Sequence, residues 1–361
     1  MPPAASTSEP PRSAALLAAL VLLGAACTRG PAPRIEQLHV FGSTADIELR
    51  GAGPEQAQAA LAEITALLNQ REREWHAWEP SDLTRINAAF AAGESAEAPA
   101  SVVDLIERAK PLSEASEGLF DPAIGGLVGS WGFHTSIYPV LSPPPGADWL
   151  AQWREHRPRM TDIQVNGSRL SSKNPHVQLD FGAIAEGAAL EMVAAILVRH
   201  DIRHALISLG GDVAALGSAD GRPWQVAFRD PFGGVLGSVE LGDGETLFST
   251  GNYNKFRESP TGMRWSHILD PRTGYPARGA AAVEVLHRDP VLADAAATAL
   301  FVAGPSGFER LARRLRLGCA LMVTEENEML VTTAMRARVR LLRDPVALGA
   351  PLDLGPDCGG G

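Results

Sequence analysis

Ala57, Leu61, Ile64 and Leu68 recur at spacings of four, three and four, which places them on one face of a helix. The residues before them, His39 to Leu49, mix apolar and small polar positions as a strand does. Ser101 and Asp104 open Val-Val-Asp-Leu-Ile-Glu-Arg-Ala in the manner of a capping box, so a second helix is expected there, kinked or ended by Pro111. Helical periodicity returns over Ile184–Arg199, Val291–Val302 and Ser306–Leu315. Short β-branched or apolar runs, most of them separated by turn residues, stand at Ala205–Leu209, Val226–Phe228, Val283–Leu286, Ala320–Val323 and Met329–Thr333. Strands and helices mix without regular alternation, which predicts an α+β fold rather than a doubly wound parallel sheet. Pro139 to Pro145 reads as a surface loop.

One apolar stretch does not belong to this pattern. Ala14 to Ala26 follows Arg12, ends in small residues and abuts Cys27. It is shorter than the roughly 20 residues needed to span a bilayer, and its position fits the hydrophobic region and cleavage site of an export signal. Small residues before a cysteine resemble a bacterial lipobox, so Cys27 is expected to become a lipidated first residue, although Gly24 stands where Leu is usual. The expected organisation is a signal over 1–27, a tether over 28–35, a catalytic domain over 36–345 and a disordered tail over 346–361. The expected location is the periplasmic face of a bacterial membrane.

Composition narrows the function. The chain is 45% hydrophobic and 20% charged, which is globular, and its net charge of −10 removes the electrostatic attraction a general nucleic-acid binder needs. Cys27, Cys319 and Cys358 are too few and too scattered for a disulfide scaffold or a four-thiolate zinc site. A metal here would be held mostly by oxygen or imidazole.

Five segments are more polar or more glycine-rich than packing requires. Gly118 to Phe133 carries five glycines with Phe120, Trp131 and Phe133, a turn over a core or a close approach to a flat ligand. Asp180 to Gly187 reads as a strand end turning into a helix, where N–H groups favour anions and free carbonyls can ligate a cation. Ser208-Leu-Gly-Gly-Asp212 ends a strand in a turn and an acid. His267 sits three residues before Asp270-Pro271, close in sequence to the hydroxyl-rich Ser249–Phe256 segment. It is a general-base candidate as well as an ordinary structural histidine. Asp294 and Thr298 share one face of an otherwise apolar helix, where a carboxylate needs an ion-pair partner, a backbone cap or a cation; with a hydroxyl beside it, the chemistry suits Mg²⁺.

In this order the segments resemble the FAD:protein FMN transferase family, often called ApbE, from about Val40 to Gly304. Phe41-Gly-Ser-Thr is similar to its opening Met-Gly-Thr element, and Trp78-Glu-Pro-Ser-Asp-Leu-Thr-Arg-Ile-Asn87 to its Tyr-Asp-Pro-x-Ser-Glu-Leu-Ser-x-Leu-Asn segment. The five segments above match its remaining motifs. The resemblance implies an ApbE-like, T-fold-related architecture. It also implies Mg²⁺-assisted transfer of FMN from FAD to a Ser or Thr hydroxyl of an acceptor protein, with AMP leaving. Family acceptors carry an Asp-Gly-x-Ser/Thr-Gly-Ala-Thr type segment and belong to membrane redox complexes. By the same resemblance Ala183, Asp294 and Thr298 would hold the metal, the first through its carbonyl. Phe41, Trp78, Leu119, Phe120, Asp121, Asp180, Glu186 and Ile268 would meet FAD, and His267 would serve the transfer. Glu186 stands where the family has Lys, so a compensating cation is expected, Lys255 or Arg272. Two other readings share these residues: an FAD pyrophosphatase yielding FMN and AMP, and an exported flavin-binding lipoprotein without turnover.

Overall fold

The computed structural model describes residues 33–355 and 357–359. The apolar run Ala14–Ala26, Cys27 and the tether up to residue 32 lie outside the described residues, and the first strand, Arg34–Val40, already includes the last tether positions.

A nine-stranded sheet organises the chain, its neighbours succeeding one another in sequence: Arg34–Val40, Ser43–Arg50, His204–Leu209, Asp212–Leu216, Thr246–Gly251, Ala280–His287, Ala320–Thr324, Glu328–Val331 and Ala347–Leu348. Every pairing is antiparallel except the last. The stretch expected as one strand over His39 to Leu49 is therefore a hairpin. Phe41 and Gly42 both have positive φ (54° and 65°), as a two-residue hairpin loop requires, and Phe41 stacks on Trp75 at 5.9 Å.

Ala280–His287 is buried at all eight positions because both faces of the sheet are covered. Val283 and Val285 join the large core shared with the helices, whereas Ala282 and Leu286 join a second core beneath the small sheet of Trp224–Arg229, Val235–Leu241 and Val339–Leu341. The helices on the first face include Pro54–Trp75, Ala100–Ala115, Ala185–Arg199 and Pro290–Arg314. The last is long and apolar enough to cross a membrane by composition, yet 72% of its most apolar stretch is buried within the fold. Its φ of 65° at Gly304, just before Pro305, breaks it into the two helical runs read separately from the sequence.

Three local expectations are corrected. Pro111 lies inside Ala100–Ala115 without ending it, and tertiary packing of Val102, Leu105, Ile106 and Ala109 offsets the lost backbone bond. Ser101 does not cap that helix; its hydroxyl bonds Glu74 and accepts from Trp75 Nε1 (3.1 Å). The tail expected to be disordered is tied down: Ala347–Leu348 pairs with Glu328–Met329, and Cys358 is buried in a disulfide with Cys319, their Cα atoms 4.8 Å apart. A pair 39 residues apart leaves no local trace in sequence.

Because the strands alternate in direction, the Phe41–Gly42 turn, the Gly210–Gly211 turn and the loop after Gly251 all emerge at one end of the sheet. The segments of interest gather there.

Candidate active site

The glycine-rich segment packs closely against the Asp180 segment. A side chain at Gly125 would meet the Gln178 carbonyl oxygen at 2.8 Å, and one at Gly129 would meet His134 Nδ1 at 2.9 Å. The glycines thus let His134 turn back to place Nε2 3.1 Å from Asp180 Oδ2, while Gly182 N–H donates to Asp180 Oδ1 at 2.9 Å. Burial alone would raise the Asp180 pKa. The hydrogen bond and charge of His134, the Gly182 N–H and the charge of Lys255 instead hold it below its ordinary value. Trp78 stacks on the other side of the imidazole, centroids 5.2 Å apart, with 42% of its surface still open. The result is an aromatic step beside an anionic acceptor.

A second cluster forms where two helices begin. Gly187 lies so close to Pro290 that a Cβ would fall 2.5 Å from the Pro290 carbonyl oxygen. At that contact Asp294 Oδ2 accepts the Gly187 N–H at 2.9 Å. Gly187 is the third residue of its helix, so this N–H has no partner within the helix, and the Ala183 carbonyl, just before the Ile184 cap position, stands outside the helical ladder. Thr298 lies one turn beyond Asp294 on the same helix. Burial, followed by the charge of Glu186, raises the Asp294 pKa well above its ordinary value against the Gly187 N–H. Among the described residues no three His, Cys, Asp or Glu side chains could hold a metal by themselves. The donor set on offer is one carboxylate, one hydroxyl and one carbonyl, all oxygen, which fits a hard cation that keeps other ligands from water or substrate.

Glu186 lies over the Gly210 turn, where a Cβ at Gly210 would be 2.6 Å from Oε1, and its carboxyl faces that of Asp212. Burial raises both, Asp212 further because the charges of Glu186 and Asp294 add to it. Asp212 also accepts the Ser249 N–H at 2.8 Å, joining the helix start, the glycine turn and the next strand. Of the two expected compensating cations, Lys255 acts on Glu186, whereas Arg272 is engaged with Asp270 at 2.9 Å.

His267 is half-buried. Its Nδ1 lies 3.0 Å from the Lys255 carbonyl oxygen, which also accepts the His267 backbone N–H. A carbonyl only accepts, so Nδ1 carries the proton and Nε2 is bare. Burial first, and then the charge of Lys255, lowers its pKa to about 4, so the ring is neutral at pH 7.

Four expected contacts are placed differently. The side chains of Leu119, Phe120 and Ile268 are buried in the large core, because each belongs to its segment's inward face, and only their backbones remain for a ligand. Asp121 is buried and spends its carboxylate on Ser113 and on the N–H groups of Ala123 and Met160 (3.1 Å each); burial raises it to about 6. It is a tie between loops. Sequence reasoning missed His134, one position beyond the glycine-rich motif, and Glu284, which accepts from Ser249 across the sheet. It also passed over Arg257, buried at 1% exposure with two nitrogens on the Trp131 carbonyl (3.0 and 2.6 Å). An acid inside an otherwise apolar run was the available signal for Glu284; for His134 and Arg257 only the fold brings the partners near.

A family model described as the ApbE family matches residues 41–323. A protein of Rhodobacter capsulatus named FAD:protein FMN transferase is 43% identical over 330 residues, 90% of this chain and 62% of that protein, so the chain spans less than two thirds of that relative's length. Among solved structures, the apo form of the Pseudomonas stutzeri flavinyl transferase ApbE aligns with a TM-score of 0.73 at 29% identity, covering 85% of this chain and 97% of that one. The Thermotoga maritima ApbE protein aligns with a TM-score of 0.75 at 26% identity over 85% and 99%.

Proposed function

This chain belongs to the ApbE family, and from that premise we propose that it is an FAD:protein FMN transferase, moving FMN from FAD to a Ser or Thr hydroxyl of an acceptor protein and releasing AMP. One arrangement carries the reading: the Lys255 carbonyl holds His267 Nδ1 at 3.0 Å while the Lys255 charge bears on Asp180, Glu186 and His267, so the aromatic step, the helix-start cluster and a bare imidazole nitrogen lie within reach of one cation. A pyrophosphate lying there is bounded by a ring-binding surface on one side and a base on another.

Trp78 offers an indole face to a flavin or adenine ring, and Asp180 accepts from a ring N–H. His267 Nε2 takes the proton of the acceptor hydroxyl as its oxygen bonds to the FMN phosphorus; the bond to the AMP phosphate breaks, and its electrons leave with AMP. Lys255 faces the charge that develops on the phosphoryl oxygens. Ala183, Asp294 and Thr298 would hold Mg²⁺, which when bound supplies further charge neutralisation to the pyrophosphate. Glu186 and Asp212 keep the helix start and the glycine turn together.

Export, with Cys27 as a lipid anchor on the periplasmic face, is part of the proposal. The Cys319–Cys358 disulfide supports an oxidising compartment, since such bonds persist outside the cytosol. The acceptor proposed is a membrane redox subunit bearing an Asp-Gly-x-Ser/Thr-Gly-Ala-Thr segment.

The test combines the chain from Thr28 onward with FAD, Mg²⁺ and a small domain carrying Asp-Gly-x-Thr-Gly-Ala-Thr, and reads the intact mass of that domain. A gain of FMN less water, lost on chelation, is expected. Free FMN and AMP without a mass gain would replace the transferase with a pyrophosphatase, and unchanged FAD would leave a binding protein.

A further inference from the structure

An open cleft of ≈ 500 Å³ lies between the hairpin residues 227–235 and the Tyr253–Asn254 step. None of the roles above uses it. Its rim is held by Asp230, which accepts the Phe232 N–H at 2.9 Å and pairs with Arg343, so that acid is already neutralised. Val235, 46% exposed on the hairpin, gives the cleft an apolar lip together with Pro231.

Arg229 supplies the cleft's free charge. One guanidinium nitrogen donates to Asn254 Oδ1 at 3.0 Å, and the group lies 5.7 Å from the centre of the Tyr253 ring. Among the described residues it has no carboxylate partner. Asn254 and Tyr253 therefore fix the orientation of a cation whose remaining N–H groups are unspent, a planar fork that matches a carboxylate. In a chain of net charge −10, most of whose arginines near acids are paired with them, such a cation on an apolar-lipped surface suits an acidic side chain of a polypeptide. Position adds to chemistry. Asn254 directly precedes Lys255, whose carbonyl holds His267 Nδ1, so the cleft wall is one residue, about 3.8 Å along the chain, from the anchor of the proposed base.

We infer that this cleft is the docking subsite for the acceptor protein, with Arg229 receiving an acidic residue of the acceptor near the hydroxyl that is modified. The inference rests on the transferase reading. It assigns Arg229 to selection of the acceptor and leaves FAD to Trp78, His134 and Asp180.

The experiment measures FMN transfer by the full chain and its Arg229→Ala and Arg229→Lys variants, on the Asp-Gly-x-Thr-Gly-Ala-Thr domain and on the same domain with that Asp changed to Asn. Arg229→Ala is expected to raise KM for the acceptor about tenfold while kcat and the Kd for FAD stay within about twofold, as the loss of one charge-assisted contact would do. Arg229→Lys is expected to recover part of the loss, and on the Asn domain the variants and the native chain should converge. An unchanged KM, an equal loss on both domains, or weaker FAD binding would each overturn the assignment. If the native chain transfers no FMN to the unaltered domain, the transferase reading falls, and this inference with it; where the native chain transfers normally, a failure of the variants to behave as expected counts against Arg229 alone.

Discussion

Two helices begin side by side in this molecule, and they are capped in opposite ways. Pro290–Arg314 starts conventionally: Asp289 accepts the N–H groups of Val291 and Leu292 at 2.9 and 3.0 Å, and Pro290 follows it. Ala185–Arg199 has Ile184 at its cap position and no local side-chain acceptor. Its Gly187 N–H is met instead by Asp294, a carboxylate from the neighbouring helix. A local cap is a device for stability. A borrowed cap costs the burial of a carboxyl, and that cost is informative about function.

The contrast between the two starts is greatest at Asp294. Asp294→Ala should reduce Mg²⁺-dependent FMN transfer by a factor on the order of 10³ or more and also lower the melting temperature, because anion and cap are lost together. Asp294→Asn keeps an oxygen for Gly187 N–H, so it should lose activity while melting near the native temperature; equal activity in the native chain and Asp294→Asn would remove Asp294 from the metal.

Next in size is the proposed base. His267→Asn should cost about 10²–10⁴ in kcat. In the native chain, kcat/KM should rise with pH through about 4 and be level by pH 6, because burial and Lys255 depress the imidazole. Lys255→Met should move that limb upward, toward the ordinary value near 6.5. A limb already near 6.5 in the native chain would contradict the buried, neutral ring.

Glu284 extends the contrast away from the helix starts, since it is another buried carboxyl but one satisfied within the sheet. Burial raises it to about 8 against the Ser249 hydrogen bond. A folded pKa above the unfolded one means stability present below about 4.5 is lost progressively as pH rises to about 8. Glu284→Gln should flatten the dependence of unfolding free energy on pH in that window, a difference of a few kcal/mol in denaturant titrations. The smallest effect is at the local cap: Asp289→Ala should cost about 1 kcal/mol of stability with FMN transfer retained. A large loss of activity there would erase the distinction between the two helix starts.

Much of the fold is legible in the sequence because its cause is local. The Ala57–Leu68 face, the two halves of the Pro290 helix and most strand runs follow from the spacing of apolar residues. Gly304 next to Pro305 marks the break between those halves in the sequence itself. The hairpin at Phe41–Gly42 reads as one strand because a phenylalanine with positive φ is not a residue that signals a turn. Within the site, Trp78, Asp180, Glu186, His267, Asp294 and Thr298 stand out by motif, and the structure brings them to one region. Leu119, Phe120 and Ile268 stand out with them although their side chains serve the core. A motif records which segment matters but not which of its atoms face the ligand.

The chain of residues alone therefore determined many of the elements, the family and the segments that carry chemistry, since periodicity, turn residues and ordered motifs are properties of neighbours along the chain. The tertiary structure decided which groups share a charge or a proton. It paired His134 with Asp180 across 46 residues, set the carboxyls of Glu186 and Asp212 against each other, and lent Asp294 to an N–H 107 residues away. Coulomb energy and desolvation depend on distance in space and on exclusion of water, and neither quantity exists until the chain has folded.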